Sequence, residues 1–247
     1  MLTTENKQKI LTAITAHRAN FGGSDAKYAT SLGINKSVMS RLFKGETEKV
    51  LAEASWIHIA RKLDVRFTKE QEWQTARTPV YDYITTALGI CQQEGTSGLY
   101  CDRADIGKTY AAMDYTKRHK NAVYVDCSQV KTKQKLVRFI AKEFGVDHSG
   151  KYADVYQDLI WYVKSIAAPL VVLDEAGDLD YPAFLELKAL WNATEHYCGW
   201  YMMGADGLQA KIDRSISHKK VGYTEIFSRY GGRYQKIVPT IFLVVNL

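Results

Sequence analysis

No apolar run in the chain approaches the roughly 18 residues needed to cross a bilayer, and Met1 to Asn20 lacks the apolar centre of a secretory signal. The first absence excludes a spanning helix and the second an export leader, so a cytoplasmic protein without a membrane partner is expected. Cysteine is scarce and unpaired: Cys91, Cys101, Cys127 and Cys198 are scattered, with no C-x-x-C. Neither a thiolate metal site nor a disulfide framework is expected, and the thiols read as reduced and buried. Charge is not extreme either. Hydrophobic residues make up 46% and charged residues 24% of 247 positions, proportions that build a globular core and exclude disorder over most of the chain. That length suits one sizeable core with a small additional domain.

The net charge of +6 is unevenly placed. Met1 to Phe67 holds eleven Lys or Arg against six Asp or Glu, a net +5, and Lys211 to Lys236 holds seven against two, again +5. A polyanionic partner touching two separate regions is the expectation this pattern raises.

Within the first basic region, "DAKYATSLGINKSVMSRLF" (Asp25 to Phe43) has the spacing of a helix-turn-helix. A small residue, Ala29, stands where two helices must approach, and Gly33 stands where the turn needs positive φ. Tyr28, Leu32, Ile34, Met39 and Leu42 supply the apolar contacts between the helices, and Asn35 reads as the cap of the second. The exposed side chains of that second helix are Lys36, Ser37, Ser40 and Arg41, with Lys44 just beyond, and they are the candidate contacts to DNA bases and phosphates. Flanking helices are expected over Thr4 to Ala19 and Ala52 to Leu63. Residues 1–67 therefore read as a small all-α, repressor-like domain; the alternative is an interaction module with the same fold and no DNA.

Thr68 to Pro79 is polar and ends in proline, and reads as a linker. From residue 80 to 247 helical patterns alternate with strand-like runs: Leu99 to Cys101, "AVYVDC", "PLVVLDEA" and "CGWYMMGA". That alternation predicts an α/β fold with a parallel sheet and helices on both faces.

Two of these strands end in chemistry. "YCDRADIGKTYAA" (Tyr100 to Ala112) closes with Gly107-Lys108-Thr109, the end of a phosphate-cradling P-loop (Walker A), whose backbone N–H groups, lysine and hydroxyl hold phosphates and Mg²⁺. The cradle comprises Asp102, Arg103, Ala104, Asp105, Ile106, Gly107, Lys108 and Thr109, with Tyr110 following. Downstream, Leu170 to Leu173 run directly into Asp174 and Glu175, a Walker B element. There Asp174 joins Thr109 in holding Mg²⁺, and Glu175 polarises the water that attacks the γ-phosphate. Asp102 and Asp105 occupy positions where glycine is usual. Since such a loop binds through its backbone, and aspartate tolerates left-handed conformations, ATP binding is still expected, with slow hydrolysis.

The segments "CDRADIGKTYAA", "VVLDEAGDL" and "FSRYGGRYQKIVP", behind a repressor-like helical region, resemble the AAA+ ATPases of the bacteriophage Mu B family, which select target DNA for a transposase. The resemblance extends from the candidate helix-turn-helix to Pro239. It implies an AAA+ P-loop ATPase that uses ATP and Mg²⁺, forms homo-oligomeric rings or filaments on double-stranded DNA, associates with the nucleoid and delivers DNA to a transposase. It further implies Asp206 as the polar sensor and Arg229, with Arg233 as second choice, as an arginine finger acting on a neighbouring subunit. Lys131, Thr132 and Lys133 become candidate phosphate contacts. After Pro239 the chain reads "TIFLVVNL", where the family continues into a helical lid. Two other readings stay open: a transcriptional regulator with an NTPase switch, and an AAA+ helicase loader.

Overall fold

The computed structural model describes residues 2–67 and 75–237. Most of the segment read as a linker (68–74), and the "TIFLVVNL" tail, lie outside the described residues.

The amino-terminal unit has four helices: α1 (Thr4–Asn20), α2 (Asp25–Leu32), α3 (Lys36–Phe43) and α4 (Glu53–Lys62). Three of them start where a side chain takes over an otherwise orphaned N–H: Thr3 accepts from Asn6, Ser24 from Lys27 and Asn35 from Val38. α2 stops at Gly33, whose φ of 72° lies in the left-handed region that glycine enters without penalty. Its own core gathers Ile10, Ile14, Tyr28, Leu32, Met39, Leu42, Trp56 and Ile59, with Ile34 only partly buried beside them. Tyr28 donates its hydroxyl to the Ile14 carbonyl at 2.9 Å, so burying this large side chain leaves no polar group unpaired.

The remainder is an α/β layer structure. α5 (Pro79–Glu94) precedes β1 (Ser97–Cys101), α6 (Lys108–Arg118), β2 (Ala122–Asp126), α7 (Lys133–Glu143), α8 (Tyr152–Ser165) and β3 (Leu170–Asp174). A 3₁₀ turn (Ala176–Asp178), α9 (Tyr181–Ala193), β4 (Gly199–Gly204), α10 (Asp206–Ser217) and α11 (Tyr223–Arg229) follow. All strand pairs are parallel, in the order β1-β4-β3-β2. β3 and β4 are buried throughout, as strands covered on both faces must be.

Alternate residues divide between two cores. Leu99, Val125, Val171, Leu173 and Met202 face α7 to α11, whereas Tyr100, Leu170, Val172, Tyr201 and Met203 face α5 and α6. All four cysteines are buried and free, and burial pushes the Cys91 thiol up to about 11. Two helices, α10, which overlaps the start of the second basic stretch, and α11, which lies within it, stand where no helix was expected from the sequence.

Gln235 adds a strand-like contact at the outer edge of β1: its N–H donates to Leu99 O at 2.9 Å, and its carbonyl accepts from Cys101 N at 3.1 Å. The sheet edge beside the P-loop is thereby partly covered by residues more than 130 positions downstream. Among the described residues no helix is long and apolar enough to cross a membrane.

Candidate nucleotide site

Parallel strands deliver their carboxyl ends to one rim, and the crevice there is where α/β sheets present chemistry. β1 ends at Cys101 and the chain turns through Asp102 to Gly107 before α6 begins at Lys108. Gly107 has φ 95°, and a Cβ built on it would meet nothing within 4 Å. Glycine is required there by backbone conformation, with no crowding involved. Gly107 is the cap residue of α6, and no side chain accepts a hydrogen bond from the helix's first turn. Those N–H groups and the positive end of the helix are aimed at the loop, the arrangement that receives phosphate.

The two aspartates in glycine positions have different structural explanations. Asp105 adopts φ 60°, using the left-handed tolerance that Asp shares with Asn, and its side chain is exposed. Asp102 is turned back toward the sheet edge. Its Oδ1 accepts from Arg103 N at 2.8 Å; its Oδ2 accepts from Tyr100 Oη at 3.0 Å and from Ile237 N at 3.2 Å. Desolvation alone would raise its pKa, but the hydrogen bonds from Arg103, Ile237 and Tyr100, with the nearby Lys108 charge, outweigh it and hold the carboxyl below its ordinary range. The Arg103 side chain, considered from the sequence as a partner for these carboxylates, is exposed; only its backbone N–H is engaged by Asp102. Ala104 is exposed and Ile106 packs partly against the α5/α6 core.

Lys108 is buried, an unusual place for an ammonium group unless it is paired. Its Nζ donates to the carbonyl oxygens of Asp102, at 3.1 Å, and Arg103. Thr109 and Asp174 meet across the rim: Thr109 Oγ1 donates to Asp174 Oδ2 at 2.6 Å. Asp174 is only 1% exposed, and its burial is compensated by two further donors, Tyr124 Oη at 2.9 Å and Glu175 N at 3.0 Å. Burial, followed by the adjoining Asp174 charge, raises the Tyr124 phenol pKa. Tyr124 was not singled out from the sequence. Its only signal there was position, on the strand beside the Walker B strand and two residues before that strand's end.

Glu175 follows directly, exposed, at φ 49° and ψ 39°. A non-glycine residue in this region carries backbone strain, and such residues concentrate at functional sites. Desolvation and then the neighbouring Asp174 charge raise the Glu175 pKa, moving the carboxylate toward better general-base strength. Lys211 braces the turn behind it, with Nζ donating to Gly177 O at 2.7 Å and Leu179 O at 2.5 Å.

Mg²⁺ is held in such sites by one or two side-chain oxygens, substrate phosphates and water. Thr109 Oγ1 and Asp174 Oδ2, two oxygens 2.6 Å apart beside the phosphate cradle, fit that demand. Bound there, the ion would neutralise phosphate charge. No group of three or more His, Cys, Asp or Glu able to hold a metal is found among the described residues.

The remaining candidates are dispersed. Asp206 opens α10, exposed, two residues past β4. Tyr110 is exposed on the first turn of α6, its hydroxyl 2.6 Å from Thr75 Oγ1. Arg229 ends α11 with its guanidinium 5.2 Å from the Trp191 ring centroid, and Arg233 is exposed. Lys131 pairs with Asp178 at 3.0 Å, Thr132 caps α7 without a side-chain bond, and the Lys133 ammonium stands 5.5 Å from the Tyr152 ring centroid. On α3, Lys36, Ser37, Ser40 and Arg41 are exposed, as is Lys44 at its end; Ser37 donates to Asn35 Oδ1, and Arg41 pairs with Glu46 at 2.7 Å. The second basic stretch is less available than its charge count implied. Lys211 is tied to the 3₁₀ turn, Lys220 lies 4.0 Å from the Tyr181 ring centroid, and Arg229 is held by Trp191.

Residues 92–212 match the model of the family described as AAA domain. Together with the parallel sheet, this match supports an AAA-type P-loop NTPase domain over the segment. No curated protein matches the chain.

Proposed function

Taking an AAA-type ATPase domain over residues 92–212 as the starting point, we propose that the protein binds and slowly hydrolyses ATP, assembles on double-stranded DNA in the ATP state, and presents that DNA to a transposase. The observation that carries the nucleotide half is the 2.6 Å contact of Thr109 with a buried Asp174, beside a lysine directed into the loop. An NTPase rim of this kind serves charge stabilisation and positioning. Lys108 and Thr109 hold the phosphates and the ion, and Glu175 takes a proton from the attacking water.

DNA contact is assigned to α3, read as the second helix of a helix-turn-helix. Its polar face exposes Lys36, Ser40, Arg41 and Lys44 opposite the buried Met39 and Leu42. The Arg41–Glu46 pair is solvent-exposed and therefore weak, so phosphate can displace the carboxylate. The transposase partner and homo-oligomeric assembly rest on the resemblance to the Mu B family, with Lys131 to Lys133 and Arg229 or Arg233 as the inter-subunit and DNA-wrapping candidates.

The engagement of Arg229 with Trp191 and of Lys131 with Asp178 inside one subunit favours a second reading, a regulator in which the ATPase domain is a switch. Fluorescence anisotropy with labelled duplexes separates the two. The first reading predicts tight binding to duplexes of any sequence only with ATP and Mg²⁺, lost in Lys108→Ala. Nucleotide-independent binding confined to one palindromic duplex would establish the regulator instead.

A further inference from the structure

The helical unit and the ATPase domain meet closely. A Cβ on Gly145 would lie 2.3 Å from the Lys27 carbonyl oxygen, Lys62 pairs with Glu143 at 2.6 Å, and the Lys27 ammonium stands 3.8 Å from the Tyr162 ring centroid. Between the two bodies this junction leaves a cavity of about 400 Å³, within the size range of small-molecule sites. No residue of the Asp102 to Thr109 loop lines it.

The lining is strongly one-signed. Arg61, Lys62, Lys117 and Lys142 contribute to the wall, against the single carboxylate Glu143. Glu143 is already engaged by Lys62, and Lys117 leans outward to Asp64 at 3.4 Å. Arg61 and Lys142 form no ion pair among the described residues, although Arg61 Nη2 lies 3.4 Å from His58 Nδ1. Three imidazoles, His17, His58 and His119, also line the cavity. His17 Nδ1 is buried there without a hydrogen-bond partner among the described residues, an unmet polar group of the kind a ligand or water satisfies.

The charges disfavour one another. Burial, then Lys62, depress the His17 pKa, with Glu143 opposing and Lys117 adding a smaller push downward; burial, then Lys142, Arg61 and Lys62, depress that of His58. Lys142 is itself lowered, by burial and then by Lys62, with Arg61 adding to it and Glu143 opposing. An anion seated among these groups relieves all three. Beside the polar Asn20, Thr116 and Asn121, the wall includes the apolar Phe21, Phe139, Phe144 and Met113, a surface suited to a ligand with an apolar body as well as charge.

We propose that this interdomain cavity binds a small organic phosphate, the phosphate facing Arg61, Lys142 and His17 and a flat apolar body lying against the phenylalanines, so that occupancy clamps the helical unit to the ATPase domain. Phenyl phosphate, a dianion at pH 7.5, is the probe, and imidazole NMR resonances are the readout. The six histidines provide the control, because His148, His196 and His218 lie outside the cavity.

Phenyl phosphate is expected to shift His17 and His58 saturably while the three outside histidines stay put, and phenol is expected to shift none. Arg61→Gln and Lys142→Gln should each weaken the response by about tenfold, the loss of one charge-assisted contact, with the outside resonances verifying that each variant is folded. Lys108→Ala should bind phenyl phosphate as the parent chain does, which separates this site from the nucleotide cradle. Absence of a His17 or His58 shift, a uniform shift of all six histidines, an equal response to phenol, or undiminished binding in both charge variants would overturn the proposal.

Discussion

Asp102 stands where a phosphate loop usually has glycine, and replacing it with glycine distinguishes a degraded cradle from a rebuilt one. Its carboxylate accepts hydrogen bonds from Arg103 N, Tyr100 Oη and Ile237 N, the last 135 residues away. At a partly exposed site each bond contributes about 1 kcal/mol, and glycine adds about 0.5 to 1 kcal/mol of backbone entropy. Asp102→Gly should therefore destabilise the chain by about 3.5 to 4 kcal/mol, read as a lower urea midpoint at unchanged slope. Asp102→Asn, which keeps one acceptor oxygen, should lose about half of that.

The pH dependence has a definite sign. The folded-state pKa is depressed, so the stabilisation is fully present above the unfolded carboxyl value of about 4 and is lost as pH falls through the folded value. The gap between the parent chain and Asp102→Asn should accordingly close below about pH 4. Nucleotide affinity is the second assay, since Asp102 faces the sheet edge. Asp102→Gly should not bind ATP more tightly. A glycine variant that is equally stable and binds ATP several-fold more tightly would refute the assignment and mark Asp102 as an obstruction in the cradle.

Three other outcomes are expected. Glu175→Gln should retain ATP binding and lose at least about 100-fold in hydrolysis, the lower range for a general base; an unchanged steady-state ATPase rate would remove Glu175 from the chemistry. Tyr124→Phe deletes one of the donors to Asp174. It should cost about 1 kcal/mol in chemical denaturation and raise the Mg²⁺ concentration needed for half-maximal ATPase activity, and a variant unchanged in both would show the bond to be incidental. Replacing Lys36, Arg41 and Lys44 together by alanine should flatten the salt dependence of duplex binding by about 0.9 log unit per phosphate contact removed; a parent-like slope would move the DNA contact off α3.

What could be read from the sequence was local. Gly107, Lys108 and Thr109 are consecutive, and the Leu170 to Glu175 run carries its meaning within six residues, so both could be placed at strand ends before any coordinates. The alternation of strand and helix likewise led to the parallel sheet with helices on both faces. What escaped depended on contacts between distant residues. Nothing near Asp102 announces Ile237, nor does anything near Tyr124 announce Asp174. Helices α10 and α11 were missed because that stretch was read for charge and for single residues, not for periodicity, although Leu208, Ile212, Tyr223 and Ile226 are buried at three- and four-residue spacing. For the same reason Lys211 was counted toward a basic surface, when its ammonium group is bound to the carbonyls behind Glu175.

Electron microscopy of the purified protein on random-sequence duplex DNA, with and without ATP and Mg²⁺, is the most direct test of ATP-dependent assembly. Rings or filaments that form only with ATP and are absent from Lys108→Ala are the predicted result. Bare or sparsely bound DNA in ATP, with nucleotide binding intact in solution, would contradict it.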